Sequence, residues 1–283
     1  MTPEQLIRAA ILVSIMLIVV SFALRATWRD ATSLFRNPSL LLRSLLAMNV
    51  IMPVFAAMLY GLFTLRLPVS IALLALAVSP VPPFLPRREI KLVEERQYVY
   101  GLLGATALLS FLLAPVTVFL LSLTFSRHVD IESARIARVI ALTVLVPFAL
   151  GLIIRRVSPA FAERASPATD KAGALLLVVA AVAVLIKLGP AMVALIGDGT
   201  LYAIVAFVAV GLAAGHLLGG PNPDNRSVLA LATALRHPGV ALAAAFGTIP
   251  GDKVVAPALA LYLLVAFALT IPYVKWRRRQ RGG

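Results

Sequence analysis

The residues of this chain best suited to chemistry lie together at Arg236-His237-Pro238-Gly239, inside a long apolar segment. An arginine near the centre of a bilayer costs about 3 kcal/mol on insertion scales, so it rarely lacks a role or a partner. Pro238 breaks a helix, and the helix that begins there would direct its positive N-terminal end at the same place. Both features favour a negative ligand, so we expect Arg236 to bind a carboxylate or a similar organic anion.

Two interpretations of Arg236 are open at this point. It binds the substrate together with His237, Thr233 and exposed backbone N–H groups, or it binds the broken backbone carbonyls of the third predicted span and fixes the crossing of the two segments. His237 is the mid-span group that titrates near neutral pH, yet a lone histidine in a helical bundle is often a hydrogen-bonded packing residue. The sequence predicts a binding site here without separating these roles.

A second apolar segment is interrupted at Ser79–Pro86, which reads SPVPPFLP. Four prolines cannot all occupy one regular helix, since each lacks an N–H group and clashes with the carbonyl four residues back. We therefore predict an unwound stretch, with a kink that serves packing alone as the other possibility. The remaining residues of the predicted substrate site come from the two breaks: Ser79, Pro82, Pro83, Phe84, Pro238 and Gly239.

Apolar segments long enough to cross a bilayer surround both breaks. The 283 residues are 61% hydrophobic and 13% charged, and the mean hydropathy is +0.97, which is typical of an all-α polytopic membrane protein. No separate soluble domain is expected. Hydropathy predicts nine spans, at about 6–24, 39–62, 67–86, 99–124, 136–154, 172–195, 200–219, 227–248 and 254–275.

The two breaks fall in the third and eighth predicted spans, five spans apart. If each span belongs to a five-helix unit, the odd separation gives the two units opposite topology. A helix in lipid is broken only where its freed backbone groups face protein or water, so two matching breaks indicate one central site. This layout predicts an inverted-repeat transporter fold with two crossing broken helices.

The net charge of +14 is explained by the membrane rather than by nucleic acid. Lys and Arg lie at the ends of apolar segments, where they set orientation, and their distribution predicts an external N-terminus and a cytoplasmic C-terminus. The first apolar run lacks a cleavage site and is interpreted as a retained span. Short loops and a compact tail favour a bacterial inner membrane, and the oligomeric state is left undetermined.

Acidic and catalytic groups are missing from the predicted spans. All twelve acidic residues lie outside the middle of any span, so no intramembrane carboxylate is available to carry a proton or a cation. There is no cysteine, and no second histidine or acid stands at ligand spacing near His237, so no metal or cofactor is expected. Catalytic motifs are absent, which argues against an enzyme.

Four motifs in order give the chain a resemblance to the bile acid:sodium symporter (BASS, or SBF-like) family. These are Trp28–Ala57 (WRDATSLFRNPSLLLRSLLAMNVIMPVFAA), the Ser79–Pro86 break, Ser110–Val116 (SFLLAPV) and Ala234–Ala241 (ALRHPGVA). The resemblance implies a nine-helix form with a core domain and a panel domain that move against each other. It places the core at about 39–124 and 200–275, and the panel at about 6–24 and 136–195.

The chain departs from this family where sodium-coupled members have their ion ligands. The Ser-Asn position of the first crossover reads Leu85-Pro86, the Gln-Asn position of the second reads Arg236-His237, and an earlier glutamine position reads Met48. The glutamate position falls near Ala232. Sodium needs converging oxygen ligands, and an arginine among them would repel the ion. The resemblance with these changes implies transport that is not coupled to sodium.

The sequence thus predicts a secondary transporter that moves a small organic anion through the bilayer by alternating access. It is a facilitator, an exchanger or a proton-coupled carrier that uses His237. Three alternatives stay open: a membrane sensor or scaffold that keeps the fold without transport, a channel-like permease, and a sodium-dependent symporter with non-standard ligands. Flux measurements separate the first from a transporter, because a sensor also binds ligand.

Overall fold

Helices make up nearly all of the residues that the computed structural model describes, which are 3–80, 96–124, 138–248 and 254–281. Two short helical turns, Trp28–Ala31 and Ser33–Arg36, join the first helix to the second. Within the described ranges the longer helices, numbered in chain order, are α1 (Pro3–Ala23), α2 (Pro38–Leu62), α3 (Leu67–Val78), α4 (Arg96–Thr124), α5 (Arg138–Val157), α6 (Pro159–Val193), α7 (Thr200–Leu218), α8 (Pro223–Ala234), α9 (Pro238–Thr248) and α10 (Val255–Arg281).

Six of these helices, α1, α2, α5, α6, α7 and α10, are long and apolar enough to cross a membrane. The shorter α3 is also apolar, with 12 residues, and α4 extends over 29 residues. The prediction of an all-helical polytopic membrane protein is confirmed. The total of nine spans stays a prediction, because the described part of the chain shows six candidate spans by these criteria.

Proline and asparagine define several helix starts. Proline is tolerated in the first turn because the N–H that it lacks has no partner inside the helix there. Pro38 and Pro223 occupy this position in α2 and α8, and the preceding Asn37 and Asn222 cap the same helices. The Asn222 side chain accepts a hydrogen bond of 2.7 Å from the N–H of Asp224, so the start of α8 is fixed locally.

Two helices contain a π-helical stretch directly before a proline. Leu46–Ile51 of α2 precedes Pro53, and Ala141–Leu145 of α5 precedes Pro147. The proline ring crowds the carbonyl four residues back, and the backbone avoids it by widening to a register in which N–H groups bind carbonyls five residues back. Each stretch therefore leaves a carbonyl whose π-register partner would be the proline.

Helix contacts fall into two sets. Helix α1 packs along α6 and against α5, while α2, α3, α7, α8, α9 and α10 pack among themselves. Polar contacts join α1 to α6: the Ser21 hydroxyl donates to Asp170 (2.7 Å), and the Ser166 hydroxyl donates to the Ser21 carbonyl (3.1 Å). Contacts of α6 with α10 and of α4 with α5 link the two sets.

The closest helix contact that bears on the site is that of α7 with α8. A Cβ atom added at Gly215 would lie 2.4 Å from the Leu229 carbonyl oxygen and 2.5 Å from the Ala230 Cα. A Cβ at Gly211 would lie 2.9 Å from the Cα of Ala234, at the last turn of α8. Glycine thus lets α7 touch the α8 backbone and hold the end of that helix in place.

Candidate functional site

The end of α3 presents backbone carbonyls that have no α-helical donor. Helix α3 stops at Val78 and Ser79 is extended, with φ −75° and ψ 148°. The α-helical partner of the Leu76 carbonyl would be the N–H of Pro80, which proline lacks, and that of Ala77 would be residue 81, beyond the helix end. The N–H and hydroxyl of Ser79 fold back onto the Leu76 oxygen, at 3.0 and 2.8 Å.

The gap between α8 and α9 is held open by a tyrosine of α10. Helix α8 ends at Ala234 and α9 begins at Pro238. The buried Tyr262 hydroxyl donates to the Ala234 carbonyl (2.6 Å) and accepts from the backbone N–H of Arg236 (2.7 Å). One side chain therefore satisfies two backbone groups that the interruption has freed.

The end of α3 and the α8–α9 gap are hydrogen-bonded to each other. The backbone N–H of His237 donates to the Ser79 hydroxyl oxygen (3.0 Å) and to the Pro80 carbonyl (3.1 Å). Helix α9 also packs along α3. The two interrupted segments of the sequence thus meet at Ser79 and His237, in the buried interior of the protein.

A third element, the π-helical stretch of α2, reaches the same place. In the π-helical register the partner of the Met48 carbonyl would be the N–H of Pro53, which does not exist. The Met48 carbonyl accepts instead from Nη2 of Arg236, at 3.3 Å. A proline therefore frees the Met48 carbonyl in α2, as another frees the Leu76 carbonyl at the end of α3.

The Arg236 side chain donates hydrogen bonds to the carbonyls of both α2 and α3. Its side chain is completely buried, with Nε donating to the Leu76 oxygen (3.0 Å) and Nη2 donating to Ala77 (2.5 Å) and Met48 (3.3 Å). Two nitrogens of the guanidinium therefore have the role given by the second interpretation of the sequence, which is to bind broken backbone. No carboxylate forms an ion pair with Arg236 in the described part of the chain.

Two buried donors are left over. Nη1 of Arg236, with two N–H groups, and Nε2 of His237 have no hydrogen-bond partner among the described residues. The Nδ1 atom of His237 accepts from the N–H of Val240 (3.3 Å), so in the neutral ring the proton lies on Nε2. Both free atoms are thus donors, and they suit an acceptor-rich ligand such as a carboxylate.

The other predicted site residues are placed as follows. Thr233 is buried, and its hydroxyl donates to the Leu229 carbonyl of its own helix at 2.8 Å. Pro238 and Gly239 open α9, and a Cβ at Gly239 would lie 3.3 Å from the His237 ring and 3.8 Å from Ile15 of α1. Helix α1 thus approaches the gap at Gly239. The predicted residues Pro82, Pro83 and Phe84 lie outside the described residues.

Reasoning from the sequence missed two contributors to this site, Tyr262 and the carbonyl of Met48. The carbonyls of Leu76 and Ala77 belong to the third predicted span, whose broken carbonyls the second interpretation of Arg236 named. Tyr262 carries a signal, because a tyrosine hydroxyl in an apolar span needs a partner. Pro53 and Pro80 also signal orphan carbonyls four or five residues back. The resemblance places Met48, Arg236 and His237 at ion-ligand positions of the family, but no sequence feature indicates that the Tyr262 hydroxyl meets them.

Among the residues that the structure describes, no group of three or more His, Cys, Asp or Glu side chains is placed to hold an ion. Backbone carbonyls are the converging oxygens here, and a guanidinium already occupies them.

Comparison with protein families tests the wider identity. Residues 11–195, which are well over half of the chain, match the Sodium Bile acid symporter family. No curated protein gives a significant match. The matched region begins within α1, covers α2 to α6, and contains the motifs Trp28–Ala57 and Ser110–Val116. The chain belongs to the sodium bile acid symporter family and is a membrane-embedded secondary transporter, not an enzyme.

Proposed function

We propose that this transporter carries a small organic anion, without sodium coupling, at a site formed by Arg236 and His237. The observation that carries the proposal is a completely buried arginine that keeps one nitrogen unpaired and has no acidic partner among the described residues. A buried positive charge is stabilised when an anion neutralises it. The bound anion would be the missing partner.

The unpaired donors determine which hydrogen-bond acceptors the ligand must have. Nη1 of Arg236 supplies two N–H groups and Nε2 of His237 supplies one. The first turn of α9 adds the positive end of a helix beginning at Pro238. A carboxylate accepts from several donors at once, and charge-assisted hydrogen bonds of this kind are about twice as strong as neutral ones. The substrate class we propose is therefore a small carboxylate.

Sodium independence follows from the occupancy of the backbone oxygens. The carbonyls of Leu76, Ala77 and Met48 already accept from the Arg236 guanidinium. A sodium ion placed among them would have to displace these hydrogen bonds and would be repelled by a fixed positive charge. Among the described residues no acidic side chain forms an ion pair with Arg236, so none would offset that repulsion.

Alternating access would use the two helix sets. We propose that α1, α5 and α6 form the panel, that the other helices form the core, and that α3 and the α8–α9 pair are the crossing broken helices of an inverted repeat. Gly239 supports this division, because the site meets the panel helix α1 there through Ile15. Movement of α1 away from Gly239 would open the buried donors to one side of the membrane. We also propose that the protein lies in a bacterial inner membrane, with its N-terminus on the external side and its C-terminus in the cytoplasm.

Uptake of labelled small carboxylates into proteoliposomes tests the proposal. The informative variant is His237→Asn, in which the amide oxygen can still accept from the Val240 N–H while the Nε2 donor is lost. We expect wild-type flux without sodium and a loss of about tenfold or more in the variant, because one hydrogen bond to a charged carboxylate is worth about 1.5 kcal/mol or more.

Arg277→Ala is the matched control. Arg277 is also a buried arginine, 8% exposed, but it donates to Ser227 and to the Pro223 carbonyl at the other end of α10. Its loss should change protein yield without changing the substrate selectivity of the remaining flux. Equal flux in His237→Asn and wild type, or flux that needs sodium, would refute the proposed site.

A further inference from the structure

Three carbonyl oxygens from two separate helices converge on one buried point. Met48 contributes from α2, and Leu76 and Ala77 contribute from the end of α3. Proline stands at the π-register donor position for Met48 and at the α-helical donor position for Leu76. The carbonyl end of α3 also brings the negative end of its helix dipole to this point. Backbone geometry alone thus builds a pocket of negative potential around the guanidinium.

We infer that these carbonyls form a cation site that the Arg236 side chain occupies permanently, as an ion attached to the chain. Converging carbonyl oxygens are the ligands that proteins offer to alkali cations. Two nitrogens of the guanidinium donate to all three carbonyl oxygens. The carbonyls therefore interact with the delocalised positive charge of the group and not with one N–H alone. Tyr262 fixes the backbone of Arg236 and so holds this attached ion in register with α3.

The inference separates two functions of one residue. The Nε and Nη2 side of the guanidinium fills the cation site, and Nη1 has no hydrogen-bond partner among the described residues. It deepens the sodium independence proposed above and rests on it, because an attached ion does not enter or leave with the substrate. The test measures cation binding through protein stability, so failure of the proposed anion transport would be distinguishable from failure of this inference.

Removal of the side chain tests the site. Purified Arg236→Ala in detergent should have a lower melting temperature than wild type, because the Met48 and Ala77 carbonyls lose the guanidinium, the Leu76 carbonyl keeps only its Ser79 donors, and a cavity forms. Millimolar guanidinium chloride, far below denaturing concentration, should raise the melting temperature of this variant by about 3 °C or more through binding to the folded state. Sodium or potassium chloride at equal ionic strength should stabilise it as well, and wild type should respond to none of the three.

Three further variants distinguish charge from packing. Arg236→Lys keeps a positive charge and should remain close to wild type, whereas Arg236→Met fills similar space without charge and should be destabilised. Tyr262→Phe loses stability for another reason, because it removes the backbone brace, and should gain nothing from guanidinium. The inference is overturned if Arg236→Met is as stable as Arg236→Lys. It is also overturned if no cation stabilises Arg236→Ala, including the case in which that variant yields no folded protein in any of the salts.

Discussion

Nη2 of Arg236 lies 3.3 Å from the carbonyl oxygen of Met48, although 188 residues separate the two in the chain. The contact joins the α8–α9 gap to the π-helical stretch of α2 through one guanidinium. Burying either group without a partner would cost free energy. The Met48 carbonyl has no donor in the π-helical register because Pro53 lacks an N–H, and the guanidinium has no carboxylate partner among the described residues. The hydrogen bond between the Arg236 guanidinium and the Met48 carbonyl therefore stabilises both groups in the buried interior.

Replacement of Tyr262 by Phe should destabilise the protein. The change removes one hydroxyl and leaves two buried backbone groups without a partner, the N–H of Arg236 and the carbonyl of Ala234. Unsatisfied buried groups cost about 1 to 3 kcal/mol each, so we expect a clear fall in melting temperature in detergent. Tyr202→Phe is the matched control, because Tyr202 is 76% exposed, and it should change little. Equal melting temperatures of the two variants would show that Tyr262 does not brace the gap.

Substitution of Gly215 by Ala should separate α7 from α8. The new Cβ would meet the backbone of Leu229 and Ala230 at 2.4 and 2.5 Å, and backbone cannot move aside as a flexible side chain does. Overpacking of this kind costs about 1 to 3 kcal/mol.

Gly189→Ala in α6 is the control for that change. A Cβ there would meet nothing within 4 Å, and alanine is favoured over glycine in a helix by about 0.5 to 1 kcal/mol. Thermal unfolding should thus rank Gly189→Ala at or above wild type and Gly215→Ala below it. A reversed ranking would contradict the close α7–α8 contact.

Two buried serines in or next to α3 should respond in opposite ways to alanine. Ser79 accepts from the His237 N–H and donates to the Leu76 carbonyl, so Ser79→Ala removes hydrogen bonds that hold the segments together. We expect a loss of about 0.5 to 1.5 kcal/mol, with the Pro80 carbonyl keeping part of the His237 contact. The Ser70 hydroxyl has no partner among the described residues, so Ser70→Ala should be neutral or stabilising. Denaturation of both variants in one detergent checks the difference in sign.

The sequence was informative about Arg236, His237 and Ser79, which the structure brings together, because charge and proline inside apolar segments are local signals. The all-helical membrane class and the family were also predictable, and both are confirmed. The substrate roles of the site residues and the core and panel division stay predictions. Sequence reasoning also allowed for Arg236 as a carbonyl-binding residue, and the geometry gives two of its nitrogens that role.

Tyr262 and Met48 escaped prediction for a physical reason. Their roles depend on which helices touch, and contacts between different helices leave no periodic pattern in one sequence, whether the partners are 26 residues apart, as for Tyr262 and Arg236, or 188 apart, as for Met48 and Arg236. Tyr262 belongs to an apolar helix in which an aromatic residue could equally face lipid. Met48 contributes a backbone carbonyl, which is independent of the side chain, so the family resemblance and the later Pro53 mark the position without showing that its carbonyl binds Arg236.

The central claim is that an organic anion moves at Arg236 without a sodium ion. Its most direct test is uptake of labelled small carboxylates by wild-type proteoliposomes under an inward sodium gradient and under a matched potassium gradient. The account predicts equal initial rates in the two gradients, with saturation by unlabelled carboxylate and loss of flux in Arg236→Met. Accumulation that occurs only in the sodium gradient, or that persists in Arg236→Met, would contradict it.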